Sequence, residues 1–368
     1  MIPYQKGTIT RQAHVSLPDG LVEEEYGREG FFGPYTHFYR TAPPVNWTHI
    51  EGPLRPHSLD CNQLEKTKTS DFITGRQTLL YNQDVQIQFL YLDTPMPYLF
   101  RNADGDDLFF VHKGQGKMET DFGPFQYKKG DYLVIPRGTV YRLFPKEPSA
   151  FLVVESKGAF RLPEKGLLGQ QALFDPAIIN VPDPEPLSYP PGEYHLKIKR
   201  LNEITTVTYP FYPINVVGWK GTLAPWQINV ADIRPVSCER YHLPPSAHTT
   251  FVSRNFVVCS FLPRPLETGD PTALKVPFYH SNIDYDEVLF YHEGEFFSRT
   301  GIGKGMITFH PQGLHHGPQP GAFERTKNAA RTNEVAVMID TRHPLFMSDQ
   351  AQEIENKDYW KSWREKDE

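Results

Sequence analysis

Three residues of the chain have the types and spacing of a metal cradle: His280, Glu287 and His316, set in the stretch from Val276 to Gly321. Two imidazoles and one carboxylate leave several coordination positions open on a redox metal, an arrangement that suits Fe(II) with a bidentate phenolic substrate and dioxygen. Thiolate ligands are absent from the stretch, which argues against a structural zinc. Asp286, adjacent to Glu287, competes with it as the carboxylate. His310, six residues before His316, is expected near the rim as a proton donor or as a partner of a ligand.

Such a set works only if the backbone aims it. Along a strand successive side chains face opposite ways, so His280 and Glu287 can both point into a barrel, with His316 approaching from a neighbouring strand. Only one of the adjacent pair His315 and His316 can then face inward.

An internal repeat selects between them. The run from Asp107 to Gly114 lies over the run from Glu287 to Gly294 at an offset of 180, and Gly130, Pro136, Gly138 and Tyr141 lie over Gly305, Pro311, Gly313 and His316 at an offset of 175. His316 is therefore the inward member, and His315 packs or meets solvent. In the first copy the three ligand positions hold Phe100, Asp107 and Tyr141, which cannot bind a metal with the same groups. His112 and His292 match each other before the turn glycines, so a structural role is expected for His292.

The wider chain agrees with two β units. With 34 Pro, 27 Gly, 25 Phe, 19 Tyr and 5 Trp among 368 residues, short strands and turns are favoured over long helices. The expected fold is mostly β: two small antiparallel β-barrels or jelly rolls with few helices. The expected division is 1–165 for the ligand-free unit with a wrapping N-terminal segment, 166–192 for a Pro-rich connector, 193–345 for the metal-binding unit and 346–368 for a C-terminal helix docked by Tyr359, Trp360 and Trp363.

A formal charge of −6 with no basic run gives no reason to expect nucleic acid or an anionic membrane as partner. No run of 18 apolar residues exists to span a bilayer. Cys61, Cys238 and Cys259 are widely spaced without a CxxC, which argues for a reducing compartment, and the N-terminus lacks the features of a secretion signal. A cytoplasmic protein is expected.

The two spacings H-x-N-x4-E-x6-G and G-x5-P-x-G-x2-H resemble the two motifs of the cupin superfamily, so the repeat implies a bicupin. Within the cupins the chain resembles the homogentisate 1,2-dioxygenase family over most of its length. The likeness rests on PPVNWTHIEGPLRP after Tyr39-Arg40, NADGD before LFFVHKG, KGLLGQQALFDP, NVVGWKGTLAPW, PFYHSN and LHHGP.

That resemblance implies a non-haem Fe(II) enzyme opening the ring of a 2,5-dihydroxyphenyl substrate with dioxygen, as a homo-oligomer, often a trimer or a dimer of trimers. It places the iron ligands on His280, Glu287 and His316, with His316 also touching substrate, and the supporting histidine on His310. In the tryptophan motif Lys220 stands where the family has its proposed base, and Phe296 stands at the family's substrate-binding tyrosine. A desolvated lysine can act as a base or pair with a substrate carboxylate, whereas a turn lysine is merely solvated.

These departures leave a gentisate-like or hydroquinone substrate open beside homogentisate. Phe278, Tyr279, Tyr291, Phe297, Trp219 and Trp226 are candidates to wall a flat pocket, two or three of them touching substrate. Two other classes compete: a metal-dependent isomerase or hydrolase would consume no dioxygen, and a non-catalytic binding bicupin would hold no stoichiometric metal.

Overall fold

Strands buried on both faces organise the molecule. Asp106–Lys113 and Ser149–Ser156 are buried along nearly their whole length and carry the apolar runs LFFV and AFLVV at their centres, because each has a sheet face toward its own barrel and another toward the second barrel. The computed structural model describes residues 5–67, 71–185, 187–275 and 278–364. The ends of the expected terminal domains and the first two residues of the stretch from Val276 to Gly321 lie outside them.

The first unit packs a seven-stranded sheet, ordered Trp226–Asn229, Asp131–Ile135, Asp106–Lys113, Ser149–Ser156, Val85–Leu92, Arg76–Tyr81 and Phe346–Met347, on a six-stranded one. The latter runs Glu203–Tyr209, Tyr194–Arg200, Leu99–Asn102, Val140–Pro145, Gln115–Thr120 and Phe125–Lys128. Phe100, Phe109, Phe125, Leu133, Tyr141 and Phe151 fill the space between them.

The second unit is built on a six-stranded sheet, Thr249–Ser253, Phe256–Phe261, Val335–Thr341, Asp286–Glu293, Met306–His310 and His57–Asp60. A three-stranded sheet, Tyr279–Asn282, Val22–Gly27 and Tyr35–Arg40, forms another wall. The mostly β, two-barrel architecture is the expected one, and among the described residues no helix is long and apolar enough to cross a membrane.

The division of the chain differs from the expected one. Strands from Tyr194 to Asn229 add to both sheets of the first unit, while the N-terminal strands between Val22 and Asp60 serve the second. The C-terminal segment is not one helix: it forms Asp349–Glu353 and Tyr359–Trp363. Between them Glu355 bridges back to Leu59, and Asn356 N–H donates to the Ser58 carbonyl at 2.8 Å. Pairing with that strand takes the backbone groups that a continuous helix would use.

The repeat survives as geometry. Gly114 and Gly294 have φ of 85° and 93°, and a Cβ at either would lie 2.3 Å from Ser149 Oγ or 2.2 Å from the Asn333 carbonyl oxygen. Both turns therefore need glycine for φ and for space.

Where the barrels meet, His112 and His292 share a hydrogen bond between their Nδ1 atoms at 2.9 Å. Each also lies edge-on to a phenylalanine of the other unit, His292 on Phe110 at 4.8 Å and His112 on Phe290 at 5.0 Å. Residues matched in sequence are thus matched across a pseudo-two-fold contact.

Burial, aided for His112 by His292 and for His292 by Lys129, pushes the two imidazoles down to about 3 and about 4. An unfolded histidine titrates near 6.5, so between that value and these the unfolded chain binds more protons. Their contribution to stability is complete above about pH 6.5 and is lost as pH falls, by up to about 1.4 kcal/mol per pH unit for each. We expect His292→Gln to flatten the fall in the urea midpoint between about pH 6.5 and 5 relative to the unsubstituted protein. Parallel curves for the two proteins would show that the pair does not govern this range.

Candidate metal centre

Strand alternation divides the central strand Asp286–Glu293 as required. Val288, Phe290 and His292 face the other barrel, while Glu287, Leu289 and Tyr291 line the second barrel's own cavity. Asp286 faces away: its carboxylate accepts from the backbone N–H of Gln312 at 2.7 Å and of Leu345 at 2.6 Å. Glu287, not Asp286, therefore joins the histidines.

His280 and His316 are held against each other by reciprocal backbone hydrogen bonds of 2.9 Å. Each imidazole directs Nδ1 at a carbonyl two residues back, His280 to Phe278 at 3.0 Å and His316 to Leu314 at 3.3 Å. With the Nδ1 protons placed there, both Nε2 atoms carry lone pairs, and they stand 3.6 and 3.5 Å from Glu287 Oε2.

Neither Nε2 makes a hydrogen bond, although both are buried. An unmade bond of this kind costs roughly 1–3 kcal/mol. A cation bonded at about 2.1 Å can touch all three atoms and relieve both. The donor set and its orphaned nitrogens fit a metal ion.

His310 stands directly across from Glu287, and its Nδ1 donates to Glu287 Oε1 at 2.9 Å. Burial pushes His310 down to about 3, so the ring is neutral and orients the carboxylate. It is fully buried, stacked on His316 at 5.1 Å and edge-on to Trp363 at 5.9 Å, and so does not sit at the rim. Burial raises the Glu287 carboxyl, but the surrounding imidazoles of His316, His280 and His310, the last through its hydrogen bond, outweigh it and bring the carboxyl well below the usual carboxylate range. Opposite it on the next strand, Asp340 is pushed well up by burial and by the charges of Glu287 and Asp286.

The first barrel shows what has replaced this centre. At the matching position Asp107 is gripped by the guanidinium of Arg76, by Tyr141 OH at 2.9 Å and by Asn102 Nδ2 at 3.0 Å, with Arg76 Nη2 also 3.1 Å from Glu155. A protein cation occupies the ground that the second barrel leaves to an ion.

Beside the histidines lies a cavity walled by Phe278, Tyr291 and Phe297 together with His242, Arg264 and Arg299. Arg264 is paired with Glu334 at 3.4 Å. Arg299 is not paired with a carboxylate among the described residues: Nη1 donates to the carbonyls of Gly317 at 2.7 Å and Ser298 at 3.3 Å, and Nε is buried without a partner. His242 gives its Nδ1 to Glu267 at 3.0 Å, which leaves Nε2 as an acceptor. Neither residue falls on a readable spacing in the sequence, because both sit in loops whose placement depends on distant strands.

Other expected site residues lie elsewhere. Lys220 is exposed, in a segment packed on the first barrel, where Trp219 donates to the Phe122 carbonyl at 3.0 Å, while Trp226 packs on Phe251 of the second unit. Phe296 is buried behind Tyr291 at 4.7 Å, leaving its neighbour Phe297 on the cavity wall. Tyr279 packs with Val45, Tyr359 and Trp363. His315 is paired with Glu24.

Comparison with known proteins places these features in context. The family model for the homogentisate 1,2-dioxygenase N-terminal region matches residues 39–230. A Saccharolobus solfataricus protein named as a dioxygenase is 36% identical, the match covering 98% of each chain. The homogentisate 1,2-dioxygenase of Bradyrhizobium diazoefficiens is 30% identical over 74% of this chain and 65% of its own length. Among solved structures, a cupin 2 conserved barrel domain protein from Leptotrichia buccalis aligns with a TM-score of 0.34 at 10% identity, over 78% of this chain and 96% of that one.

Proposed function

The chain belongs to the homogentisate 1,2-dioxygenase family, and from that premise we propose that it is an Fe(II)-dependent, ring-cleaving dioxygenase for homogentisate or a related 2,5-dihydroxylated aromatic acid. The supporting observation is the convergence of two unpartnered imidazole nitrogens and a carboxylate oxygen beside a cavity that combines aromatic walls with a guanidinium that pairs with no carboxylate among the described residues.

His280, Glu287 and His316 would hold Fe(II), which would supply the redox chemistry that dioxygen needs. The remaining work falls to side chains. His310 keeps Glu287 aimed. Phe278, Tyr291 and Phe297 receive the flat ring and exclude water, with Phe296 bracing Tyr291 from behind. His242, oriented by Glu267, takes the proton of a ring hydroxyl, a task that exposed Lys220 is not placed to perform.

Arg299 stays charged, because Tyr359, Tyr291 and Glu287 outweigh the effect of burial, and it binds the substrate carboxylate. The free space is about 50 Å³. A ring needs a cavity of roughly 150 Å³, so the lining side chains would have to repack to admit one.

The test is dioxygen uptake by anaerobically prepared protein loaded with Fe(II), offered homogentisate, gentisate and unsubstituted hydroquinone. The carboxylated rings should be consumed with one dioxygen each; no uptake with any of the three would sink the dioxygenase reading. Arg299→Gln should raise KM for the carboxylated rings by about 10–100-fold, the size of a lost charge-assisted hydrogen bond, and spare hydroquinone. An equal loss on all three would remove Arg299 as the carboxylate anchor.

A further inference from the structure

A second cluster with the same donor set lies outside the centre described above. Ligand atoms of His14, Glu25 and His37 all lie within 4.8 Å of one another, as do those of His280, Glu287 and His316. Glu23 and Glu25, two apart on Val22–Gly27, share one face of the strand. In register, Glu25 stands between His37 on one neighbouring strand and His280 on the other.

Glu23 organises the histidines. One of its oxygens takes His14 Nδ1 at 2.8 Å and the His14 backbone N–H at 2.7 Å; the other takes Tyr39 OH at 2.9 Å and stands 3.5 Å from His37 Nδ1. A carboxylate behind Nδ1 fixes the tautomer that presents Nε2 as a ligand, which is how metal-binding histidines are ordinarily oriented. His37 Nε2 faces Glu25 at 3.2 Å.

Among the described residues neither Glu23 nor Glu25 is paired with a lysine or arginine; Arg40 and His315 take Glu24 on the opposite face. Two carboxylates thus share neutral-capable imidazoles and a phenol, with no fixed positive charge. A divalent cation would supply it.

We propose that His14, Glu25 and His37 form a second divalent-cation site, with Glu23 behind both imidazoles. Two nitrogens and an oxygen select a borderline cation of the Zn²⁺ class over Ca²⁺ or Mg²⁺. Its effect is structural. The His14 ring stacks on Phe278 at 4.1 Å, and Phe31, in the connection between Val22–Gly27 and Tyr35–Arg40, meets His280 edge-on at 5.2 Å. An ion here ties three separate N-terminal pieces together against the wall that carries His280. The inference does not depend on the dioxygenase reading.

The experiment titrates metal-free, full-length protein with Zn²⁺ by calorimetry and counts bound zinc by elemental analysis after gel filtration. The unsubstituted protein should hold two Zn²⁺ per chain. His316→Ala should hold one, and so should His37→Ala. Glu25→Gln, which preserves shape, gives the same reading if His37→Ala fails to fold. Glu23→Gln should weaken the second equivalent by about 10–100-fold, the usual cost of losing a carboxylate behind a metal-bound histidine. A zinc count that is the same in the unsubstituted protein and in folded Glu25→Gln overturns the proposal.

Discussion

The His316→Ala protein will bind one Fe(II) fewer per chain than the unsubstituted protein, and its dioxygen uptake will fall by about three orders of magnitude, equivalent to about 4 kcal/mol of barrier. The substitution removes one of the two Nε2 atoms that face Glu287 and leaves His280 and Glu287 too few to hold the ion with open positions in a fixed geometry. Little else should change, because the His316 backbone, and not its ring, bonds to His280. Counting the difference in iron keeps the result independent of any other cation site. Equal iron in the two proteins would take His316 out of the ligand set.

Arg76→Met should cost about 3–5 kcal/mol of stability, the usual penalty for removing one partner from a buried ion pair. Arg76, 5% exposed in its side chain, is the cation shared by Asp107 and Glu155, which are 1% and 0% exposed. Losing it leaves Asp107 without its cation, while Lys199 still holds Glu155 at 2.7 Å. Adding Asp107→Asn should recover part of the loss, since a neutral amide is less costly to bury than an unpaired charge. Urea denaturation of the three proteins measures this, and a single-variant cost below about 1 kcal/mol would mean that water reaches the site in solution.

Both predictions concern matched positions, and the match was legible without coordinates. Offsets of 180 and 175 aligned Asp107 with Glu287 and Tyr141 with His316 because strand length and turn glycines are local properties. Alternation along a strand allowed only one of His315 and His316 to face inward, and the repeat spacing selected His316. What a replaced centre would contain was not legible: Arg76 precedes Asp107 by a whole strand pair, and only sheet closure brings its guanidinium to the vacated position.

The same distinction explains the residues that moved. Lys220 sits beside a motif that resembles a catalytic one, but the Trp226–Asn229 strand adds to the edge of the first barrel and takes Lys220 with it. His242 and Arg299 have no periodic signature, since loop residues reach a cavity through the strands that flank them. A helix over the last residues was a fair reading of composition, yet Glu355 and Asn356 pair with a strand some 300 positions earlier.

By itself, the sequence determined the β class, the duplication and which three side chains can converge, for these follow from period-two alternation and turn chemistry within a few residues. Only the tertiary structure decided which barrel each strand joins and which loop residues wall the cavity. It also decided that the N-terminal strands carry a His and Glu cluster to the back of His280. Those outcomes depend on pairing between segments far apart in the chain, where no local preference distinguishes one partner strand from another.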